Sequence, residues 1–387
     1  MNKFKKVIAM VLVAVAVSVS VGTVVNAGIL GIDVSKYQGA INWGATTSSG
    51  VQYAMIKAGS VKGMDPNFAS NMVQASSTGM RTGVYMYSYA TSVEGAIAEA
   101  NLLLSWIQPY SVSFPVAFDF EDPSQKGIDP FTATAMANAF CDVIANAGYY
   151  PIVYTYRNFY NSHLTAGLRY DKWIAQYTGG CDVPGYAMWQ YTSSGSVNGV
   201  AGRVDMNMLE KDYFSLIPAM GFLNTDYGTY FFTNYRKQRG WVSPDGVYKY
   251  HMGDTFLMDK GWFSDGTGIY YLSDQDGHAL VGLNSVGGNQ YFFNENGQMQ
   301  TGYQNIGGLT YLFDASNGAM VTGWVPTGTG MQYFTSDGWM VANMYLEIDG
   351  AGRAFDAQGN LLVNGVYNVG GITVLCAEDG TAIPYAM

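Results

Sequence analysis

The hydrophobic pattern changes period along the chain. From residue 28 to about 217, short apolar runs take turns with stretches of helical spacing. Leu30–Val34, Tyr53–Ala58, Gly83–Tyr87, Pro115–Asp122 and Ile152–Tyr156 read as strands. Asn67–Ser77, Val93–Ile107 and Pro130–Ala147 read as helices between them. The first opens after Asp65-Pro66. The second carries Ile97, Leu103, Leu104 and Ile107 at helical spacing and is stopped by Pro109. The third opens at Asp129-Pro130 and ends at Gly148. Trp173–Tyr177, Ala187–Tyr191 and Val204–Met208 then follow with no room for full helices between them. Strands that alternate with helices build parallel βαβ units. Eight strands, five helix-linked and three closely spaced, predict an α/β fold: an irregular (β/α)5β3 TIM-like barrel.

The stretch Pro115–Asp122 carries the chemistry. Val116, Phe118 and Phe120 form one row, and Ala117, Asp119 and Glu121 the other. Residues two apart on a strand share a face, so Asp119 and Glu121 are expected side by side, with Cα atoms about 6–7 Å apart. Two carboxyl groups at that range suit glycoside hydrolysis, and their repulsion raises the pKa of one of them. In barrels of this kind the chemistry sits at the carboxyl ends of the strands. Those ends hold Asp33, Lys57, Tyr87, Asp119 with Glu121, Tyr154 with Tyr156, Trp189 with Gln190, and Asp205. Acids to bond sugar hydroxyls and aromatic rings to stack on sugar faces would converge on one mouth.

Composition narrows the partners. The net charge of −10, with no basic stripe beyond Arg236-Lys237-Gln238-Arg239, argues against nucleic acid. Three cysteines make no disulfide scaffold; Cys141 and Cys181 could pair or remain buried thiols. No Cys–His spacing suggests zinc, so neither metal nor cofactor is expected. Residues 1–27 read as a signal peptide: Lys3, Lys5 and Lys6, an apolar run over 7–21, then Val25-Asn26-Ala27. No membrane span is expected in the mature chain, and the predicted location is secreted and wall-associated.

Gly31-Ile32-Asp33-Val34-Ser35, Ile56-Lys57-Ala58, Gly83-Val84-Tyr85-Met86-Tyr87, Phe118-Asp119-Phe120-Glu121-Asp122, Pro151-Ile152-Val153-Tyr154-Thr155-Tyr156, Trp173-Ile174-Ala175 and Trp189-Gln190-Tyr191 together resemble glycoside hydrolase family 25. These lysozymes cut the β-1,4 bond between N-acetylmuramic acid and N-acetylglucosamine in peptidoglycan. The resemblance runs over about residues 29–210 and implies a five-helix, eight-strand barrel. It implies Glu121 as general acid and Asp119 as the group that stabilises positive charge or orients the acetamido group. Asp33 and Asp205 would flank the pocket; Lys57, Tyr87, Tyr154 and Tyr156 would touch substrate. The rival expectation is a catalytically inactive wall-binding protein or adhesin.

From about residue 222 the chain turns to Gly, aromatics, Asn and Asp. Gly240-Trp241, Gly261-Trp262, Gly282-Leu283, Gly302-Tyr303 and Gly323-Trp324 recur every 20 or 21 residues. Tyr271, Tyr291, Tyr311 and Tyr333 recur in step. One hairpin per period predicts an all-β solenoid whose units bury aromatic faces by stacking. The array resembles choline-binding cell-wall repeats. That implies aromatic sites at Trp241, Trp262, Tyr271, Tyr291, Tyr303, Tyr311, Trp324 and Tyr333, with choline-bearing teichoic acid or another wall glycan as partner beside peptidoglycan. The expected division is a signal peptide over 1–27, a barrel over 28–217, repeats over 222–362, and an unassigned end over 363–387.

Overall fold

The computed structural model describes residues 28–328 and 330–385; the expected signal peptide lies outside them. The chain divides between Ser215 and Leu216 into two compact units.

In the first unit, eight strands close on themselves. They are β1 (Ile29–Val34), β2 (Tyr53–Ser60), β3 (Arg81–Tyr87), β4 (Val116–Asp119), β5 (Pro151–Tyr156), β6 (Asp171–Ala175), β7 (Met188–Gly195) and β8 (Val204–Leu209). Neighbours are parallel from β1 through β7, while β8 runs antiparallel to both β7 and β1. Long connections carry helices: α1 (Trp43–Ser48), α2 (Phe68–Ser77), α3 (Val93–Ile107), α4 (Pro130–Asn146) and α5 (Arg157–His163). The caps explain the helix starts. Asp129 accepts the amides of Phe131 and Thr132, with Pro130 at the first helical position, an arrangement that satisfies otherwise orphaned donors.

Strand parity sorts the barrel. One row (Ile32, Val34, Ala54, Ile56, Val84, Met86, Val116, Phe118 and Val153) is fully buried against Phe68, Met72, Leu103, Phe140 and Ile144 of the helices. This sheet–helix layer is the main core, and Phe118 stacks on Phe120 at 5.0 Å and Phe140 at 4.5 Å. The other row fills the barrel interior. At its base Tyr53 stacks on Phe114 at 4.6 Å. A Cβ on Gly31 would lie 2.2 Å from the Tyr53 ring, so glycine is the residue that fits there.

Two expectations need correction. Ile97 of α3 is 37 % exposed; the buried face is Ala96, Glu99, Ala100, Leu103 and Ile107. Glu99 lies on this buried face, and its Oε1 accepts the Tyr89 amide at 2.9 Å. The fourth strand ends at Asp119, so Glu121 sits on the loop beyond it. Among the described residues no cysteine is bonded to another; Cys141 and Cys376 are buried.

The second unit is a run of antiparallel hairpins. Strands pair as 240–242 with 250–252, 261–264 with 269–272, 282–286 with 289–293, 302–306 with 309–313, 323–327 with 330–334 and 344–348 with 351–355. A three-stranded sheet, 220–225, 228–233 and 236–237, precedes them, and another, 365–369, 372–376 and 382–384, follows. The stretch left unassigned by sequence thus contains a further hairpin. Each hairpin ends its second strand on a buried residue: Met252, Leu272, Phe293, Phe313, Phe334, Phe355 and Cys376. The segment after each hairpin bonds back to the hairpin before it, as Met299 N to Ile269 O at 2.7 Å and Met320 N to Gln290 O at 2.8 Å. Neighbours therefore hold one another, as expected of a solenoid.

Candidate active site and array aromatics

The carboxyl ends of the barrel strands surround a cleft of about 300 Å³. Its walls include Asp33, Lys57, Tyr87, Asp119, Glu121, Tyr154, Gln190 and Asp205, all expected there. The closed barrel brings Asp33 opposite Asp205 across the β1–β8 pair, and Asp119 level with Tyr87 and Tyr154 on its two neighbours. Each of these residues shares the parity that points inward.

Two expected residues fall elsewhere. Trp189 lies one position off the inward row set by Met188 and Gln190; its indole Nε1 donates to the Gln176 carbonyl at 2.8 Å. Tyr156 has the inward parity but lies past the rim, where it borders a separate hollow with Arg157, Tyr177 and Asp182. Sequence reasoning missed Ser35, Tyr37, Gln38, Tyr85, Trp173 and Tyr177, which also line the cleft. Parity could have found Tyr85, two residues before Tyr87; Tyr177 sits in a loop with no periodic signal.

Hydrogen bonds fix one acid. Asp33 Oδ2 accepts from Gln190 Nε2 and from Asn207 Nδ2, both at 2.8 Å. Gln190 is set in turn by the hydroxyls of Tyr154 at 3.1 Å and Tyr177 at 2.7 Å. Asn207 is set by the Trp173 indole at 2.8 Å. Burial, reinforced by Asp205, pushes the Asp33 carboxyl up to about 8, although the two amide bonds oppose the shift. Asp33 therefore keeps its proton at neutral pH.

The remaining acids are pushed the same way. Burial first, then Glu121, raises Asp119, while Lys57 opposes. Asp119 is 3 % exposed, and its Oδ1 has no protein hydrogen-bond partner. Such an oxygen costs about 1–3 kcal/mol unless it carries a proton or meets a ligand. Burial likewise raises Glu121; Lys57 lowers it, and Asp205 and Asp122 raise it. Burial raises Asp205. Four carboxyl groups thus share one cleft with the single ammonium of Lys57, which lies 4.6 Å from the Tyr87 ring centre. Like charges that close cannot all ionise, so protons are retained. The arrangement can donate a proton and stabilise a developing cation.

In the array, the expected aromatics meet in unequal ways. Trp262 faces Tyr271 across its own hairpin at 5.1 Å and Tyr291 of the next hairpin at 4.9 Å. Trp324 faces Tyr333 at 4.9 Å. Trp241 is enclosed by His251 at 5.2 Å, Tyr270 at 4.7 Å and Phe263 at 5.7 Å. The Tyr303 hydroxyl donates to Gln332 Oε1 at 2.7 Å, and its ring lies 6.3 Å from that of Phe334. The four tyrosines read as equivalent are not. Tyr271 and Tyr333 pair with the tryptophans, whereas Tyr291 and Tyr311 stand one position earlier, opposite Asn284 and Gln304. A one-residue offset places a side chain on the other face. The buried Leu/Phe position, not the tyrosine, keeps the register.

Residues 32–200 match the family model described as Glycosyl hydrolases family 25, and residues 280–323 match the one described as Choline-binding repeat. The autolytic lysozyme of Clostridium acetobutylicum is 31% identical over 185 residues, covering 46% of this chain and 54% of the relative. Lysozyme M1 of Streptomyces globisporus is 27% identical over 215 residues, covering 49% of this chain and 70% of the relative. The chain thus spans about half the length of the Clostridium relative. The solved modular autolysin LytC of Streptococcus pneumoniae is 28% identical, covers 47% of this chain and 46% of its own, and superposes with a TM-score of 0.44. The barrel is a glycosyl hydrolase family 25 domain, and the array that follows it in sequence contains choline-binding repeat.

Proposed function

We propose that this protein is a secreted muramidase that cleaves the β-1,4 bond between N-acetylmuramic acid and N-acetylglucosamine in peptidoglycan, and that the hairpin array docks it on the wall. The observation that carries the reading is the convergence of Asp33, Asp119, Glu121 and Asp205 on one sugar-sized cleft walled by tyrosines. The likeness of the barrel to two lysozymes supports it. The basic and then apolar residues 3–21 support export.

In this reading Glu121 is the general acid. Its raised pKa keeps a proton available, which passes to the glycosidic oxygen as the bond to the anomeric carbon breaks. Asp119 stabilises the positive charge that develops on the sugar ring. Water supplies the hydroxyl to the anomeric carbon, and its spare proton restores the acid. Asp33, held by Gln190 and Asn207, presents a protonated oxygen to the substrate. Tyr87 and Tyr154 offer ring faces to the sugar, and Lys57 moderates the repulsion among the acids.

The test is digestion of defined peptidoglycan followed by mass analysis of the fragments. Fragments ending in reducing N-acetylmuramic acid are expected, at a rate reduced by about 10²–10⁴-fold with Glu121→Gln. Wall binding without cleavage by the unaltered protein would replace this reading with that of an inactive adhesin.

A further inference from the structure

The hairpin register puts the same three positions side by side at each junction. They are the residue after the first glycine, the one before the buried Leu or Phe, and the one two before the buried residue of the next hairpin. At one junction these are Trp262, Tyr271 and Tyr291. At another they are Trp324, Tyr333 and Arg353. The third position therefore exchanges a tyrosine for a guanidinium. Arg353 lies over the Trp324 ring, with Cζ 5.8 Å from its centre. That is within the range in which a ring face attracts a cation. Arg353 Nη1 donates to the Asp379 carbonyl at 2.7 Å, which anchors the side chain, and its buried Nε has no hydrogen-bond partner. The guanidinium charge thus has two neighbours suited to it, the Trp324 ring face and the Asp379 carboxylate, which Arg353 helps hold below the usual carboxylate range.

At the Trp262 corner the third position is Tyr291, and the cation nearby, Lys260, which borders the same hollow as Trp262, donates to the carbonyls of Asp274 at 2.8 Å and Gln275 at 3.1 Å. Trp262 is 47 % exposed, meets its two tyrosines at 80° and 73° with Phe293 at 6.2 Å, and borders a hollow lined also by His251, Asp259 and Phe263. Asn284 of the next hairpin turns away, its amide donating to the carbonyls of Val281 and Gly282. The Tyr271 hydroxyl donates to Asp274, which adds a negative charge beside the corner. Trp241, by contrast, already has Phe263 packed against both it and His251.

We propose that the Trp324–Tyr333 corner takes the chain's own Arg353 as its ligand, so that the array presents Trp262, Tyr271 and Tyr291 as the open corner for an external quaternary ammonium group. The proposal rests on the reading of the array as a wall-docking element, and it limits the number of cations that array can hold.

The experiment is a choline titration of the full chain, followed by the indole N–H signals of Trp262 and Trp324 and by the number of equivalents bound. In the unaltered protein the Trp262 signal should move and the Trp324 signal should not. In Arg353→Ala, and in Arg353→Tyr, which restores the residue type of the other corner, Trp324 should respond as well and the bound equivalents should rise by one. Arg353→Lys keeps a cation and should leave the corner closed. A Trp324 response in the unaltered protein with the same midpoint as Trp262 overturns the proposal. So does the absence of any gain in the Ala and Tyr variants. If neither variant folds, the selectivity between the two tryptophans in the unaltered protein decides. Trp262→Ala separates the two failures: a choline response that survives it removes the open corner, while a gain at Trp324 on losing Arg353 would still stand.

Discussion

The barrel and the array use aromatic and acidic residues in opposite ways. The cleft draws on residues from Asp33 to Asp205, brought together only when all eight strands close. Each array corner draws on adjacent hairpins, Trp262 to Tyr291 or Trp324 to Arg353. A closed barrel can therefore gather four acids in one place at the cost of making each irreplaceable. A solenoid can vary one junction without disturbing the next, so its junctions have come to differ: one open, one filled by Phe263, one filled by Arg353. The cleft concentrates its groups in one place, whereas the array distributes its aromatic contacts over separate junctions.

That contrast is most sharply tested by removing one member from each side. Glu121→Gln should lower kcat by about 10²–10⁴-fold, the usual contribution of a positioned acid. The thermal unfolding of the barrel should stay unchanged or rise slightly, because a buried, repelled carboxyl group is lost. Reducing-sugar release beside circular dichroism checks both. A drop of similar size from any single array aromatic would show that the array is not modular.

Stability comes next. Phe118 and Phe313 are both fully buried, and Phe→Ala at either should cost about 3–5 kcal/mol. The consequences should differ in extent. Phe118→Ala should speed amide exchange across β1–β8 together, since Phe118 joins the sheet to α4. Phe313→Ala should speed exchange in hairpins 282–293, 302–313 and 323–334, and leave 365–376 protected. Hydrogen exchange read by mass spectrometry follows both patterns.

The same contrast decides what the sequence could reveal. The barrel was legible because inward parity is repeated on every strand and the strand ends are marked by acids. Where parity was misread, at Trp189, the residue fell on the wrong side. Asn207 escaped notice because one Asn in Val204–Leu209 gives no signal until β8 is known to pair with β1, where Asn207 faces Gly31. Helices α1 and α5 escaped because six or seven residues hold too little periodicity. In the array the glycines and tyrosines gave the period but not the register. Tyr271 and Tyr291 are 20 residues apart, yet the buried positions Leu272 and Phe293 are 21 apart. Arg353 carries no periodic signal of its own; the fold places it over Trp324 and against Asp379.

A smaller effect follows from titration within the barrel. The Asp33 carboxyl keeps its proton until about pH 8 in the folded state, against an ordinary value of 3.8. Between those values the folded protein holds a proton that the unfolded chain has released. Stability should therefore fall as pH rises across that window, by at most about 1.4 kcal/mol per pH unit. Asp33→Asn should flatten the slope. Urea midpoints of the barrel at about pH 5 and about pH 7.5 provide the measurement. The array lacks such a buried carboxyl among the described residues, so its own midpoint should change less over the same range.

The smallest effect tests whether an ion pair outside the cleft behaves like the charges within it. Arg157 Nε and Asp182 Oδ1 are 2.6 Å apart, with side chains 40% and 52% exposed. Water screens such a pair, and holding two mobile side chains together costs entropy, so pairs of this kind contribute about 0–1 kcal/mol. Arg157→Ala should move the barrel's urea midpoint only within that range, and added salt should shrink the difference. Asp33 and Asp119 are buried out of water, where the same salt should have little influence. A large loss from Arg157→Ala would mean that the rim, and not only the enclosed row of acids, holds the strand ends in place.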